Sequence, residues 1–176
     1  MLRLTRSIVA TPLGDLQAVA SERGLCALEF TTPKRRDKLG DRMRRWFPPF
    51  EFVDDPSPTI ERARRWLDDY FAGTSAEVNG LPLDMRGAPF ELKVWEALLE
   101  IPAGETTSYG LIAKKLGSPG ASRAVGAANG ANPIPIIVPC HRVIGSNGSL
   151  TGYGGGLQRK TWLLNHEARW RTDTLF

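Results

Sequence analysis

Pro139-Cys140-His141-Arg142 places one of only two cysteines beside one of only two histidines, directly after the apolar run Pro135-Ile136-Ile137-Val138. A thiol becomes nucleophilic when its proton can leave and a base or positive charge stabilises the thiolate. Imidazole is the side chain that exchanges protons near neutrality. The two residues therefore read as nucleophile and base. Neighbouring side chains often point apart, and a water between them would let His141 act on Cys140. Farther along, Glu167 could fix the imidazole tautomer and balance the charge His141 gains. The second cysteine, Cys26, lies in an apolar strand-like stretch and reads as a buried, inert thiol.

The rest of the chain bounds that chemistry. It has 176 residues, 41% of them hydrophobic, enough for one domain or for two small ones with real cores. Cys26 and Cys140 are too far apart in sequence for a metal-ligand pattern, and both histidines, His141 and His166, lie in the distal half. No metal and no disulfide framework is expected, which fits a reducing compartment. Met1 to Arg6 leads into an alternating segment rather than a signal-peptide core, so a cytoplasmic protein with no membrane partner is expected. Residues 1–85 carry 13 Lys/Arg and 13 Asp/Glu, whereas residues 86–176 carry 10 and 6. The net charge of +4 thus belongs to the second half, as a polyanion-facing surface or as a merely solvated one.

The elements divide near residue 85. Leu4, Arg6, Ile8 and Ala10 share one side of an alternating segment. Turns at Pro12–Asp15 and Glu22–Gly24 separate it from Leu16–Ser21 and Leu25–Phe30, predicting an antiparallel meander. Lys34 to Arg45 is a mixed charge run interrupted by Pro48-Pro49, and Ile60, Ala63, Trp66, Leu67, Tyr70 and Phe71 recur at helical spacing until Gly73.

Beyond residue 85, Phe90, Val94, Leu98 and Ile101 predict an amphipathic helix stopped by Pro102. Thr106-Thr107-Ser108 can cap a helix over Tyr109–Leu116, with Gly117 at its end. Ser118-Pro119 is a start signal for a second short helix, Ala121–Ala128, so the pair reads as a helix-turn-helix. Arg123 is the only long charged side chain among the small residues of that second helix. Either the helix is simply packed in a compact core, or it enters a nucleic-acid groove, where too few polar side chains are present to read base sequence. Ile134–Val138 is expected to be an extended, buried approach to Cys140. Gly152-Tyr153-Gly154-Gly155-Gly156 is either a mobile hairpin turn or a loop whose backbone closes on a flat ligand beside Tyr153. A helix follows over Leu157–Ala168, carrying Lys160 and Glu167.

Taken in order, these blocks resemble the O6-alkylguanine-DNA alkyltransferase family, the methylated-DNA–protein-cysteine methyltransferases. The resemblance is carried by Asn132 to Val143, by Thr107-Ser108-Tyr109, by Ser122-Arg123-Ala124-Val125-Gly126, by Gly152 to Gly156, and by Lys160 to Glu167. It covers residues 86–168 closely and the N-terminal half more loosely. It implies an α/β N-terminal domain with an antiparallel sheet, ribonuclease H-like, over residues 1–85. It also implies a mainly helical, winged-helix-like domain with a helix-turn-helix over residues 86–176, the latter ending in a C-terminal tail.

The implied activity is stoichiometric repair of double-stranded DNA containing O6-alkylguanine, and possible action on O4-alkylthymine, by a monomer that needs no cofactor. By resemblance, Cys140 accepts the alkyl group, His141 is the base acting through water, Glu167 orients it and Asn132 braces the turn. Tyr109 assists nucleotide rotation and the departure of guanine, and Lys160 supports the charge around the thiol. The DNA-facing residues are Arg123, which fills the emptied stack, with Tyr109, Ser122, Ala124 and Ala128. The guanine edge meets backbone at Cys140 and Val143, with Tyr153 and Gly154 completing the pocket. Gly154 stands where some relatives carry serine, so a hydroxyl contact is lost while a backbone N–H remains. Two other classes share parts of this pattern. A nonenzymatic alkylated-base binder would lack the thiol, and a cysteine hydrolase would have no use for the helix pair or Arg123.

Overall fold

In a computed structural model, which describes residues 1–173 and the side chains to Trp170, the chain forms two compact units, Met1–Gly87 and Ala88–Phe176. The last residues of the predicted tail, 174–176, lie outside the described residues.

In the first unit, β1 (Leu2–Val9), β2 (Leu16–Ser21) and β3 (Gly24–Phe30) form the expected antiparallel meander. The sheet is not purely antiparallel, however: a fourth strand, β4 (Phe50–Val53), pairs parallel to β1, giving the order β3-β2-β1-β4. The charge run Lys34–Arg45 is what makes this possible. It folds as α1 (Pro33–Trp46), a crossover that brings the chain back parallel to β1. Leu39 and Met43 of α1, with Phe47, pack on Leu4, Val19 and Ala27.

Because side chains alternate across a strand, the core needs only some of the β1 residues predicted to share a face. Leu4 is buried, but Ile8 is half exposed and Ala10 is exposed, while Val9 on the opposite face is buried. A register shift at Val19/Ala20 lets the β3 strand carry an extra residue, Cys26. α2 (Pro58–Ala72) packs on β1, β2 and β3 through the predicted helical stripe, begins at a Ser57 cap and ends at Gly73, whose φ of 75° is left-handed. Cys26 is buried, and burial pushes its thiol up to about 11, as befits an inert core residue.

The second unit opens with α3 (Pro89–Leu99), whose first turn is closed by the Glu91 carboxylate accepting from the Ala88 N–H at 2.9 Å. The short strand β5 (Thr107–Ser108) leads into α4 (Tyr109–Lys115), with the Ser108 hydroxyl accepting from Leu111 N–H at 3.2 Å. α5 (Ser122–Gly130) begins later than Ser118-Pro119 signalled, because Ser118–Ala121 closes a turn of its own with a 2.9 Å backbone bond. It also runs through Asn129-Gly130 rather than ending before them. α4 packs on α5, and α5 packs on α3, where Trp95 Nε1–H donates to the Ala128 carbonyl at 2.8 Å. A single 3₁₀ turn, Cys140–Arg142, leads to β6 (Val143–Ile144), and α6 (Leu157–Asp173) closes the unit.

Candidate active site

The approach to Cys140 is buried, as expected, but not extended. Residues 134–138 fold into consecutive tight turns, with Val138 N–H donating to Ile134 O at 2.9 Å and Cys140 N–H to Val138 O at 2.8 Å. Ile136 takes a φ of 73°, a left-handed conformation that a β-branched residue reaches only under constraint from its surroundings. Prolines at 133, 135 and 139 deny the segment the N–H groups of a strand ladder. Asn132 holds the turn from both sides: its amide N–H donates to Val138 O at 2.8 Å and its oxygen accepts from Ile134 N–H at 2.9 Å. β6 then pairs parallel with β5, Thr107 opposite Val143 and Ser108 opposite Ile144. That pairing ties the start of α4, and so Tyr109, to the end of the cysteine turn.

Cys140 and His141 are both buried. The His141 Nε2 lies 2.7 Å from Glu167 Oε1 on α6. Glu167 also accepts from Arg142 through both Nε (2.9 Å) and Nη2 (2.8 Å), and from the Gly104 N–H at 3.2 Å. Burial alone would raise this carboxyl, but the bonds from His141 and Arg142 hold it well below the usual carboxylate range. His141 is lowered too, but here burial is the cause: with the Arg142 and Lys160 charges it outweighs Glu167 and holds the imidazole below its ordinary value. An ionised Glu167 can only accept, so neutral His141 carries its proton on Nε2 and leaves the Nδ1 lone pair open. That Nδ1 is buried and has no protein hydrogen-bond partner among the described residues.

Lys160 is fully buried, and its ammonium donates to Val143 O at 2.6 Å and Thr151 O at 2.8 Å. Burial lowers its pKa, while the Cys140 thiolate pulls it back up, placing the ammonium within electrostatic reach of the sulfur. The Cys140 carbonyl accepts from Val143 N–H and, at 3.3 Å, from the Asn129 amide. Of the two carbonyls expected to meet a guanine edge, that of Cys140 thus already takes two hydrogen bonds and that of Val143 takes the one from Lys160.

The remaining predicted residues fall on one region of this unit, with one exception. Tyr109 is half-buried, its hydroxyl accepts from Thr151 Oγ1 at 3.0 Å, and its ring lies 3.8 Å from where a Cβ on Gly126 would stand. Arg123 and Ala124 are exposed and Ser122 half-exposed at the start of α5. Tyr153 and exposed Gly154 sit on the loop before α6. Ala128 is the exception. It is buried against α3 with its carbonyl taken by Trp95, so it belongs to the core rather than to the exposed face of α5. The sequence reading assigned no role to Arg142, Asn129 or Thr151. Arg142 was visible beside His141, and an arginine so placed needs a buried anion; nothing local marks the other two. Among the described residues no cluster of His, Cys, Asp or Glu could hold a metal ion, and no helix is long and apolar enough to cross a membrane.

Comparison with known proteins agrees with this geometry. Residues 89–169 match the family model of the 6-O-methylguanine DNA methyltransferase DNA binding domain, and residues 4–85 that of its ribonuclease-like domain. The chain is 49% identical to the methylated-DNA–protein-cysteine methyltransferase of Salmonella typhimurium, over 95% of this chain and 97% of that one. It is similar to the crystal structure of the Mycobacterium tuberculosis O6-methylguanine methyltransferase, with 43% identity, a TM-score of 0.79 and 94% and 93% of the two chains covered. It is likewise similar to Mycobacterium tuberculosis OGT in complex with DNA, at 42% identity and a TM-score of 0.77, covering 96% of this chain and 94% of that one.

Proposed function

Since the chain belongs to the 6-O-methylguanine DNA methyltransferase family, through matches that span both of its units, we propose that it repairs DNA by moving an alkyl group from O6 of guanine to Cys140. The observation that carries this reading is the open Nδ1 of a neutral His141 held by Glu167, next in sequence to the one cysteine outside the first unit.

The steps follow from the side chains. The Cys140 proton passes through water to His141 Nδ1, and Glu167 stabilises the resulting imidazolium. The Lys160 ammonium stabilises the thiolate from within the fold. The sulfur attacks the alkyl carbon, an S–C bond forms, the O6–C bond breaks and its electron pair leaves with guanine. Tyr109 gives its hydroxyl proton to the departing base, and solvent returns one to Tyr109.

The base must leave the stack for this attack, and an alkylated guanine, which pairs poorly, costs less to extrude. α4 and α5 act as a helix-turn-helix, with Arg123, Ser122 and Ala124 toward the DNA and Arg123 filling the gap. The Cys140 and Val143 carbonyls, with Tyr153 and the Gly154 N–H, receive the guanine edge, the base taking the place of the long 3.3 Å Asn129 bond at Cys140. The thioether on Cys140 has no evident route of removal, so each polypeptide acts once, as a monomer and without a cofactor. A small α/β domain over residues 1–85 and a DNA-binding, alkyl-transfer domain over 86–176 divide the work.

Intact-protein mass measurement with peptide mapping, after exposure to duplex DNA containing O6-methylguanine, tests the proposal. One methyl group on the Cys140 peptide is expected, and none in Cys140→Ser, which still binds the lesion. Restored guanine alongside unmodified protein is the result that would sink it.

A further inference from the structure

The first unit, Met1–Gly87, carries 14 Lys/Arg against 13 Asp/Glu, yet its charge is strongly segregated: α1 carries seven Lys/Arg against two Asp. Its apolar face is consumed by Leu39 and Met43. At 100° per residue, Lys34, Lys38 and Arg45 fall within one narrow stripe on the opposite side, and all three are exposed. No ion pair joins any of the three to a carboxylate among the described residues: Asp41, at the edge of the same stripe, is engaged by Arg44, and the buried Glu29 by Arg35. The stripe runs for about 16 Å along the helix, the length of about five base-pair steps of duplex DNA.

Two features of α1 oppose its own stability. Lys34 and Lys38 are like charges at the i,i+4 spacing, which repel across one turn. The first turn carries Lys34, Arg35 and Arg36 with no acid, against the positive end of the helix dipole, and Thr32 supplies no side-chain cap. Cations placed where the fold alone disfavours them are compensated when an anion binds there, and the anion-binding end of the helix reinforces the same sign. We infer that the Lys34-Lys38-Arg45 face of α1 is a second polyanion-binding surface, occupied by the phosphate backbone of duplex DNA independently of the base pocket. Two ammonium groups and one guanidinium on one helix face, with no Asn or Gln among them, track phosphates and do not read sequence. The inference rests on DNA being this protein's partner.

The test uses the full chain with Lys34→Gln, Lys38→Gln and Arg45→Gln combined, and undamaged duplex as the probe, so that its outcome does not depend on whether Cys140 accepts an alkyl group. The slope of log affinity against log salt should become shallower by about 1 for each cation removed, about 3 in all. Alkyl uptake from a free O6-alkylguanine base should be unchanged. Lys34→Gln with Lys38→Gln alone should leave the thermal midpoint level or raise it, since those two charges oppose the helix, whereas Arg45, in the last turn and over the Trp46 ring, supports it. If the triple variant misfolds, single substitutions at Lys34 and Lys38 should each lower the slope by about 1. An unchanged slope in a folded variant overturns the inference. So does a loss of binding to phosphatidylserine vesicles with DNA affinity intact, which would make the surface a membrane contact.

Discussion

Glu167 carries more of the site than any other single residue. It accepts from His141, from two nitrogens of Arg142 and from the Gly104 backbone, and it is almost completely buried. Glu167→Gln keeps the shape but leaves the Arg142 charge without its counter-ion, and breaking a buried pair in this way costs about 3 kcal/mol or more. Chemical denaturation should register that loss, with alkyl transfer falling in parallel as His141 loses its tautomer lock; a variant as stable as the parent would remove Glu167 from the centre of the network. The pH dependence has a definite sign. Both native pKa values lie below their ordinary ones, so the unfolded chain takes up protons first as the pH falls. The stability His141 confers is complete above its ordinary value of 6.5 and is lost as pH drops through its lowered native value. Glu167 adds a second loss, beginning below the ordinary carboxylate range and completed through its own lowered value. Melting should therefore weaken as the pH falls below the ordinary histidine value of 6.5, and His141→Gln should flatten that first part of the curve.

At the scale of elements, helices with apolar stripes and explicit stops were legible, because Gly73, Pro102 and Gly117 end helices for local reasons. Two segments were not. Ile134–Val138 has strand composition, but proline spacing and the buried brackets from Asn132 fold it into turns, a tertiary outcome that periodicity cannot express. Lys34–Arg45 reads as a mixed charge run because its apolar residues, Leu39 and Met43, are thin among cations; only the sheet beneath makes it a helix, and β4 follows from that crossover. The residues proposed as nucleophile, base and orienting acid are legible in residue type and order, whereas the 2.7 Å His141–Glu167 contact is not. The Arg142 clamp and the Thr151–Tyr109 bond depend on how α6 and the loop before it return to the turn. Arg123, exposed at the start of α5, is the end of this element that the proposed function turns toward DNA. Arg123→Ala should slow repair of duplex substrate much more than uptake from a free alkylated base, which needs no extrusion. Equal losses in the two single-turnover assays would assign Arg123 to something other than the stack.

For the molecule as a whole, reaction and stability are coupled through the placement of one sulfur. Cys140 is only 5% exposed, and its turn is bounded by Asn129, Val143 and the Lys160 ammonium. A thioether there is larger than the thiol and cannot be deprotonated, so the product loses its attraction for Lys160 and crowds a packed interior. Overpacking by a methyl group costs about 1–3 kcal/mol. In a domain the size of the second unit, each kcal/mol shifts Tm by about 4–8 °C. Protein alkylated to completion on O6-methylguanine duplex should melt several degrees below the unreacted chain, the difference growing with alkyl size, while Cys140→Ser exposed to the same DNA should show no shift. The methyl count should plateau at one per chain however long the incubation. Continued turnover past that plateau, or a reacted protein that melts with the parent, would mean that the sulfur does not retain its cargo inside this fold.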